Sequence, residues 1–274
     1  MSEKVEIISV GNELLIGKTL NTNAQWLSKR ITSIGLSVSR IIVVGDLVEE
    51  ISAVLQETID RSPHFIIVTG GLGPTFDDKT LEGIAKALNT PLEVDETASR
   101  MVEKKYIAYA EELGREEFKL TSARIKMATI PQGAKPIPNP VGTAPAILIK
   151  SGNVVIYALP GVPLEMKGIF EQSLIKDLKD SVGKVIFFEA SLFVSHIMES
   201  EIAPLIDRVM HDNPYVYIKS HPMGDERKPR IELHLSTTAE DEEVARKRVK
   251  RTLMELSEIV KENGGRIQPQ KRTN

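Results

Sequence analysis

Residues 65–78 read Phe65-Ile66-Ile67-Val68-Thr69-Gly70-Gly71-Leu72-Gly73-Pro74-Thr75-Phe76-Asp77-Asp78. A continuous apolar run feeds a glycine-rich turn that closes in two carboxylates. An unbroken run of this kind is expected of a strand covered on both faces. The glycines let backbone approach a ligand closely, and Pro74 stiffens the turn before a helix. Acidic side chains favour the positive end of a helix dipole, so a helix is expected to start at Asp77-Asp78 and run to Leu88, before Asn89 and Pro91 stop it. The turn is not the dinucleotide fingerprint, because Phe76 stands where the third glycine belongs. Its two carboxylates would also repel a pyrophosphate unless a divalent cation lay between them. Taken alone, it also reads as a plain glycine turn with an acidic helix cap.

Outward from this stretch, Val5 to Val10 and Val38 to Val44 are two more β-branched apolar runs. Between the runs, Ala24, Leu27, Ile31 and Ile34 fall at helical spacing within residues 21–34, as do Ile51, Val54, Leu55 and Ile59 within 49–59. Strand, helix, strand, helix, strand predicts a parallel sheet with right-handed crossovers. Another helix is expected over Asp95 to Leu113. Residues 131–145 hold five prolines, which exclude a helix or a central strand and point to an ordered loop or hinge. Ala146 to Lys150 and Val154 to Leu159 read as a hairpin turning at Ser151-Gly152-Asn153, and Pro163 to Leu178 as a helix with proline at its start.

After Gly183 the texture changes. A strand over 185–194, a helix over 200–210, strands over 215–219 and 230–235 and a helix over 240–261 make a βαββα block. The fold class expected is therefore α/β: a three-layer domain with a mostly parallel sheet over residues 1–180, then a small α+β domain over 181–264. A polar, frayed tail is expected over 265–274.

The 274 residues carry 35 Lys+Arg against 38 Asp+Glu, a formal charge of −3 that offers no footprint for wrapping a polyanion. The absence of cysteine excludes disulfides, thiolate metal sites and a cysteine nucleophile, leaving oxygen and nitrogen groups for any catalysis. The first residues contain no apolar stretch near the roughly 20 residues of a membrane span, so a soluble, cytoplasmic protein that meets no membrane is expected. The histidines His64, His196, His211, His221 and His234 show no paired ligand spacing. Ser122 and Thr143 have no oriented His-Asp pair in the sequence. The basic run 245–251 follows Glu240 to Glu243 on one helix and reads as a solvated face.

Gly11-Asn12-Glu13-Leu14-Leu15-Ile16-Gly17-Lys18-Thr19 follows a strand and ends like a P-loop. The P-loop pattern has one residue fewer between its glycines, so the register fails. Asn12 and Glu13 nevertheless sit at the carboxyl end of a parallel strand, where ligands bind. Asn139-Pro140-Val141-Gly142-Thr143-Ala144-Pro145-Ala146 and Leu159-Pro160-Gly161-Val162-Pro163-Leu164-Glu165-Met166 place small and polar residues at strand ends. Singly, each reads as a turn.

Together, GNELLIGKTLNTNAQWL at 11–27, VVGD at 43–46, TGGLGPTFDD at 69–78, NPVGTAPA at 139–146 and LPGVPLEM at 159–166 resemble the N-terminal domain of the CinA family, itself similar to the molybdopterin-binding domain of MogA and MoaB. The resemblance covers about residues 4–170. The βαββα block resembles the KH-like domain that follows in CinA proteins, and the family's C-terminal amidase domain finds no counterpart. The resemblance implies Asp46 and Asp78 as catalytic residues and as ligands of a divalent metal, Mg²⁺ or similar; Glu13 and Asp77 are the other carboxylates near strand ends, and which carboxylate holds the metal and which activates water stays open. It implies substrate contacts from Gly11, Asn12 and Glu13; from Thr69, Gly70, Gly71, Gly73 and Asp77; from Asn139, Gly142 and Thr143; and from Pro160, Gly161 and Glu165. Lys18 could add a point charge. The activity implied is metal-dependent hydrolysis of a nucleotide pyrophosphate such as ADP-ribose or FAD. A molybdopterin-binding transferase and a nucleotide sensor without turnover stand as alternatives. A homo-oligomer is expected. Nucleic-acid binding by the second block is not, since it lacks a G-x-x-G loop and its acidic residues offset its basic ones. Deamidation of nicotinamide mononucleotide is not expected either.

Overall fold

The structure, a computed structural model, describes residues 3–112, 114, 121–183, 185–224 and 228–268. It divides into two compact units, the break falling after Val182, with Ser33–Gly35 grouped with the second.

The first unit runs β1 (Lys4–Val10), α1 (Asn12–Leu15), α2 (Thr22–Ser33), β2 (Ser37–Val44), α3 (Val48–Asp60), β3 (Phe65–Thr69), α4 (Thr80–Ala87), β4 (Leu92–Val94), α5 (Glu96–Glu112), α6 (Ser122–Lys126), β5 (Thr129–Pro131), β6 (Lys135–Ile137), β7 (Ala146–Ser151), β8 (Val154–Leu159), α7 (Pro163–Ile169) and α8 (Ile175–Val182). Six strands form one sheet in the order β2-β1-β3-β8-β7-β6. The first four are mutually parallel, and β7 and β6 are antiparallel additions. β4 and β5 pair separately.

Alternation along the strands sends side chains to both faces. Ile8, Val10, Ile66, Val68, Ile156 and Ala158 share one core with Ile51 and Leu55 of α3, Leu81 and Ile84 of α4, and Ala98 and Val102 of α5. Their neighbours Ile7, Ile67 and Tyr157 are equally buried on the other face, as are Leu27 and Ile31 of α2 and Met166 and Ile169 of α7. The continuous apolar runs therefore belong to a three-layer α/β unit, as the sequence pattern predicts. The Tyr157 hydroxyl donates to Asp177 Oδ2 at 3.0 Å, tying β8 to α8. Burial first, and then the Asp177 charge, push this phenol well above its ordinary pKa.

Four elements depart from the sequence expectation. The helix expected from Asp77-Asp78 begins at Thr80, because the Asp78 carboxylate turns back onto Thr75 instead of capping forward. The proline-rich stretch is not wholly loop. Pro131 lies in β5 and Pro136 in β6, and β6 is a sheet edge, where a missing N–H breaks no central ladder. The helix expected over 163–178 is interrupted by a π-helical turn at Phe170–Leu174, where Phe170 meets Trp26 edge-on at 5.4 Å. The helix expected from Asp95 uses that residue as its cap, Oδ1 accepting from Ala98 N at 2.7 Å, and Leu113 lies outside the described residues.

The second unit holds β9 (Ile186–Ser195), α9 (Glu199–Asp212), β10 (Tyr217–Pro222), β11 (Arg230–Ala239), α10 (Glu242–Glu262) and β12 (Arg266–Gln268). Its antiparallel sheet has the order β10-β11-β9-β12. Val194, Ile218, Ile231, Leu233 and Leu235 pack with Ile202, Ile206 and Val209 of α9 and Val249, Leu256 and Val260 of α10. The tail expected to fray forms β12 over its first part, because Ile267 packs on this core beside β9. Residues 269–274 lie outside the described residues. No helix among the described residues is long and apolar enough to cross a membrane.

One buried charge sits in the parallel sheet. Glu6 of β1 is 4% exposed and accepts from Arg61 Nη2 at 2.7 Å, with Arg40 Nη1 a further 3.9 Å from its other oxygen. Arg61→Met leaves this carboxylate only the more distant Arg40, and because Arg61 is itself 28% exposed the cost should fall below the roughly 3 kcal/mol of a fully buried pair. The urea midpoint should fall at unchanged slope, and Glu6→Gln added to Arg61→Met should recover part of the loss. A midpoint that does not move would show that the pair contributes nothing.

Candidate functional site

The carboxyl ends of β2, β1, β3 and β8 lie side by side, and the loops leaving them shape a cleft of about 250 Å³. With β2 and β3 on opposite sides of β1, the cleft lies at a topological switch point of the sheet, where open α/β sheets bind ligands. Its walls include Gly11 and Glu13 after β1, Asp46 after β2, Thr69, Gly70, Gly71, Asp77 and Asp78 after β3, and Gly161 after β8.

The strand ends are drawn together by backbone. Gly11 N donates to Val44 O at 3.0 Å and Gly70 N donates to Leu159 O at 3.0 Å. Gly70 has φ +107°, and a Cβ there would stand 2.2 Å from the Val10 carbonyl oxygen. No L side chain fits that position. Its carbonyl accepts from Thr80 Oγ1 at 2.8 Å, which fixes the start of α4 against the turn. The N–H groups of Gly71, Leu72 and Gly73 donate to nothing among the described residues. Successive free amides in a glycine turn form an anion-binding concavity.

Both candidate carboxylates are oriented by backbone N–H groups. Asp46 Oδ2 accepts from Asn12 N at 2.8 Å. Asp78 Oδ2 accepts from Thr75 N at 2.8 Å and Thr75 Oγ1 at 2.5 Å. The same single hydroxyl proton is shared with Asp77 Oδ1, also 2.5 Å away, and this contact, ahead of the nearby Lys126 charge, holds the Asp77 carboxyl below the usual range. Oδ1 of Asp46 and of Asp78 carries no hydrogen bond among the described residues. No group of three or more His, Asp or Glu side chains among those residues could hold a metal ion unaided. Mg²⁺, however, is commonly held by one or two carboxylates with waters and substrate phosphates. The donor set fits a cation that arrives with its anionic ligand.

Several cleft residues gave no separate signal in the sequence. Asn21 caps α2, its Oδ1 accepting from Ala24 N at 3.1 Å, while its amide reaches Ser9 Oγ at 3.0 Å. Asn23 Nδ2 spans Thr69 Oγ1 at 3.3 Å and Gly161 O at 2.8 Å. Asn23 Oδ1 is buried with no partner, an acceptor that a ligand hydroxyl would satisfy. The clue lay in Asn21-Thr22-Asn23 at a helix start, where Asn caps are favoured. The cross-strand partners of Asn23 lie 46 and 138 residues away, beyond any local pattern.

Other expected residues gather elsewhere. Asn139 Nδ2 donates to Ala144 O at 2.9 Å and Glu165 Oε2 at 2.6 Å, while its Oδ1 accepts from Gly142 N at 2.8 Å. Thr143 Oγ1 faces Met127 Sδ at 3.9 Å. Asn139, Gly142 and Glu165 brace the 139–146 loop against α7, and neither they nor Thr143 are among the residues lining the cleft. Pro160 contributes a carbonyl that accepts from Thr69 Oγ1 at 3.2 Å. Asn12 acts through its backbone N–H, Gly73 lines a neighbouring cavity, and Lys18 is exposed and outside the lining.

Comparison with known proteins gives a family match and close relatives. Residues 6–180 match the family model described as "Probable molybdopterin binding domain". A protein from Sulfurisphaera tokodaii is 44% identical over 263 residues, covering 96% of this chain and 97% of its own. One from Pyrobaculum arsenaticum is 45% identical over 94% of this chain and 95% of its own. Among solved structures, a CinA protein from Thermoplasma acidophilum superposes with a TM-score of 0.58 at 40% identity, covering 64% of this chain and 99% of that one.

The Thr75 hydroxyl gives a direct check on the loop that carries the aspartates. Thr75→Ala removes the largest cause of the Asp77 shift, so carboxyl NMR should find Asp77 titrating at higher pH than in the parent. A depressed carboxyl stabilises the fold above its unfolded pKa, and that contribution fades as pH falls through the folded pKa. The variant should therefore lose a small increment of stability at neutral pH and none at strongly acid pH. An unmoved Asp77 titration would contradict the loop geometry.

Proposed function

The chain belongs to the molybdopterin-binding-domain family, and on that premise we propose that its first unit hydrolyses a nucleotide pyrophosphate with the help of a divalent cation. The carrying observation is the meeting, in one cleft, of Asp46 and Asp78, whose Oδ1 atoms carry no hydrogen bond among the described residues, with the Gly71 amide, which has no acceptor among them; the Leu72 and Gly73 amides continue the turn into the adjoining cavity. Carboxylates alone repel a pyrophosphate, and amides alone hold an anion without activating water. A cation bound there would neutralise phosphate oxygens and lower the pKa of an attached water. The amides of Gly71 to Gly73 would cradle a phosphate, and the unpartnered Asn23 Oδ1 would accept from a sugar hydroxyl. Asp46 and Asp78, each fixed through Oδ2, would direct Oδ1 at the cation or its water. Water oxygen bonds to one phosphorus as the bridging P–O bond breaks, so ADP-ribose gives AMP and ribose 5-phosphate.

A second reading has its own support. The family description favours a pterin ligand, and the same carboxylates and amides suit a transferase that acts on a phosphorylated pterin. The two readings differ in what is consumed with water alone.

Incubation with ADP-ribose, FAD and NAD in Mg²⁺, Mn²⁺ or Co²⁺, followed by chromatography, tests the proposal. Turnover should appear and vanish with chelator. Asp46→Asn and Asp78→Asn should each lower turnover by about 10² to 10³, the usual effect of removing a positioned electrostatic or acid–base group. Melting temperatures should stay near the parent's, since Asn keeps the shape of Asp and an acceptor oxygen. No turnover with any cation, or full activity in both variants, would overturn the hydrolase reading.

A further inference from the structure

Beyond the turn at Gly71 to Gly73 lies a second cavity of about 320 Å³, between the glycine turn, α4, the β4–β5 pair and α6. It shares Gly71 and Asp78 with the carboxylate cleft, so the two are separated only by the glycine turn and the Asp78 side chain. The chemistry of its lining is different. Leu72, Leu81, Leu92 and Ile125 give it mainly apolar walls, and Lys126 stands at the side nearest the aspartate loop. Lys126 Nζ donates to the Thr75 carbonyl, and Thr75 in turn holds Asp77 and Asp78.

Pockets that enclose a whole small ligand run to about 300–1,000 Å³, with apolar walls and few polar groups. At about 250 Å³ and lined largely by Asp, Asn, Thr and Gly, the carboxylate cleft is matched to phosphate and sugar and not to a complete nucleotide. The adjoining slot supplies the missing apolar volume. We propose that this slot, walled by Leu72, Leu92 and Ile125, seats the planar nitrogen heteroaromatic ring of the ligand while its phosphates lie across the glycine turn. Lys126 would meet an acceptor on the ring edge, so ring binding and the placement of Asp78 are linked through Thr75. The proposal rests on the cleft being the phosphate site, but it does not need that site to hydrolyse anything.

The shared chemistry of the ring leaves adenine, flavin and pterin as sources, and binding measurements separate them. Calorimetry with Mg²⁺ would compare AMP, FMN and neopterin, with inorganic pyrophosphate as a ligand that has phosphates and no ring. Leu92 is 36% exposed, so Leu92→Trp can fill the slot without entering the core, and Ile125→Trp fills it from the opposite wall should the first variant fold poorly. The ring ligand that binds the parent most tightly should weaken at least tenfold in either filled variant, while pyrophosphate binding stays within twofold. The identity of that ligand tells a nucleotide from a pterin. Ring-ligand affinity unchanged by both fillings, equal loss for pyrophosphate, or binding of none of the three ring ligands would overturn the proposal. Turnover is not read, so a failed hydrolase assay leaves this result standing by itself.

Discussion

Gly70 is where three strand ends close on one backbone position. Its N–H is bound by Leu159 of β8, the Val10 carbonyl of β1 occupies the space a Cβ would need, and a Cβ built on Gly161 would lie 3.3 Å from its Cα. A side chain there would part β3 from its neighbours at the edge where the cleft opens. The next residue is equally constrained: Gly71 has φ +65°, and a Cβ on it would fall 2.4 Å from Thr80 Oγ1. These contacts set where α4 begins, and therefore where the 72–79 loop must carry Asp77 and Asp78. The turn leaves the strand ladder here, and its Gly71, Leu72 and Gly73 amides have no acceptor among the described residues.

Orientation of the acidic groups depends on short-range polar contacts rather than on burial. Asp46 is steered by the amide of Asn12, Asp78 by the amide and hydroxyl of Thr75. Each arrangement takes one carboxylate oxygen and leaves the other without a hydrogen bond among the described residues. A preassembled cage of three or more acidic or imidazole ligands would hold its cation at all times; two half-engaged carboxylates do so only when phosphate oxygens complete the shell. Under the proposed function, cation and anion bind as a unit, and by thermodynamic linkage each strengthens the other by the same factor.

The parallel core of the fold was legible in the sequence because strands covered on both faces leave nearly continuous apolar runs, as Val5 to Val10 and Phe65 to Thr69 do; β2 ends the sheet and is only partly buried, with Ile41 49% exposed. The hairpin of β7 and β8 was legible from Ser151-Gly152-Asn153, where Gly152 takes φ +57°. What escaped is non-local. β4 and β5 are three-residue strands that pair across more than thirty positions, too short to show a period. Lys126 reaches Thr75 over 51 residues. The motifs around Asn139 and Glu165 read singly as turns and as substrate contacts only through the family resemblance, and in the structure Asn139 uses its side chain to brace its own loop. Polar residues that cap loops and polar residues that bind ligands leave the same composition behind.

The central claim is that Asp46 and Asp78 bind a divalent cation jointly with the phosphates of a nucleotide. Mn²⁺ titration followed by electron paramagnetic resonance, with and without a non-hydrolysable methylene analogue of ADP-ribose, measures this coupling directly. The account expects weak Mn²⁺ binding to the protein alone, at least tenfold tighter binding with the analogue present, and loss of that gain in Asp46→Asn and in Asp78→Asn. Mn²⁺ affinity that is indifferent to the nucleotide, or a gain that survives in both variants, would contradict it.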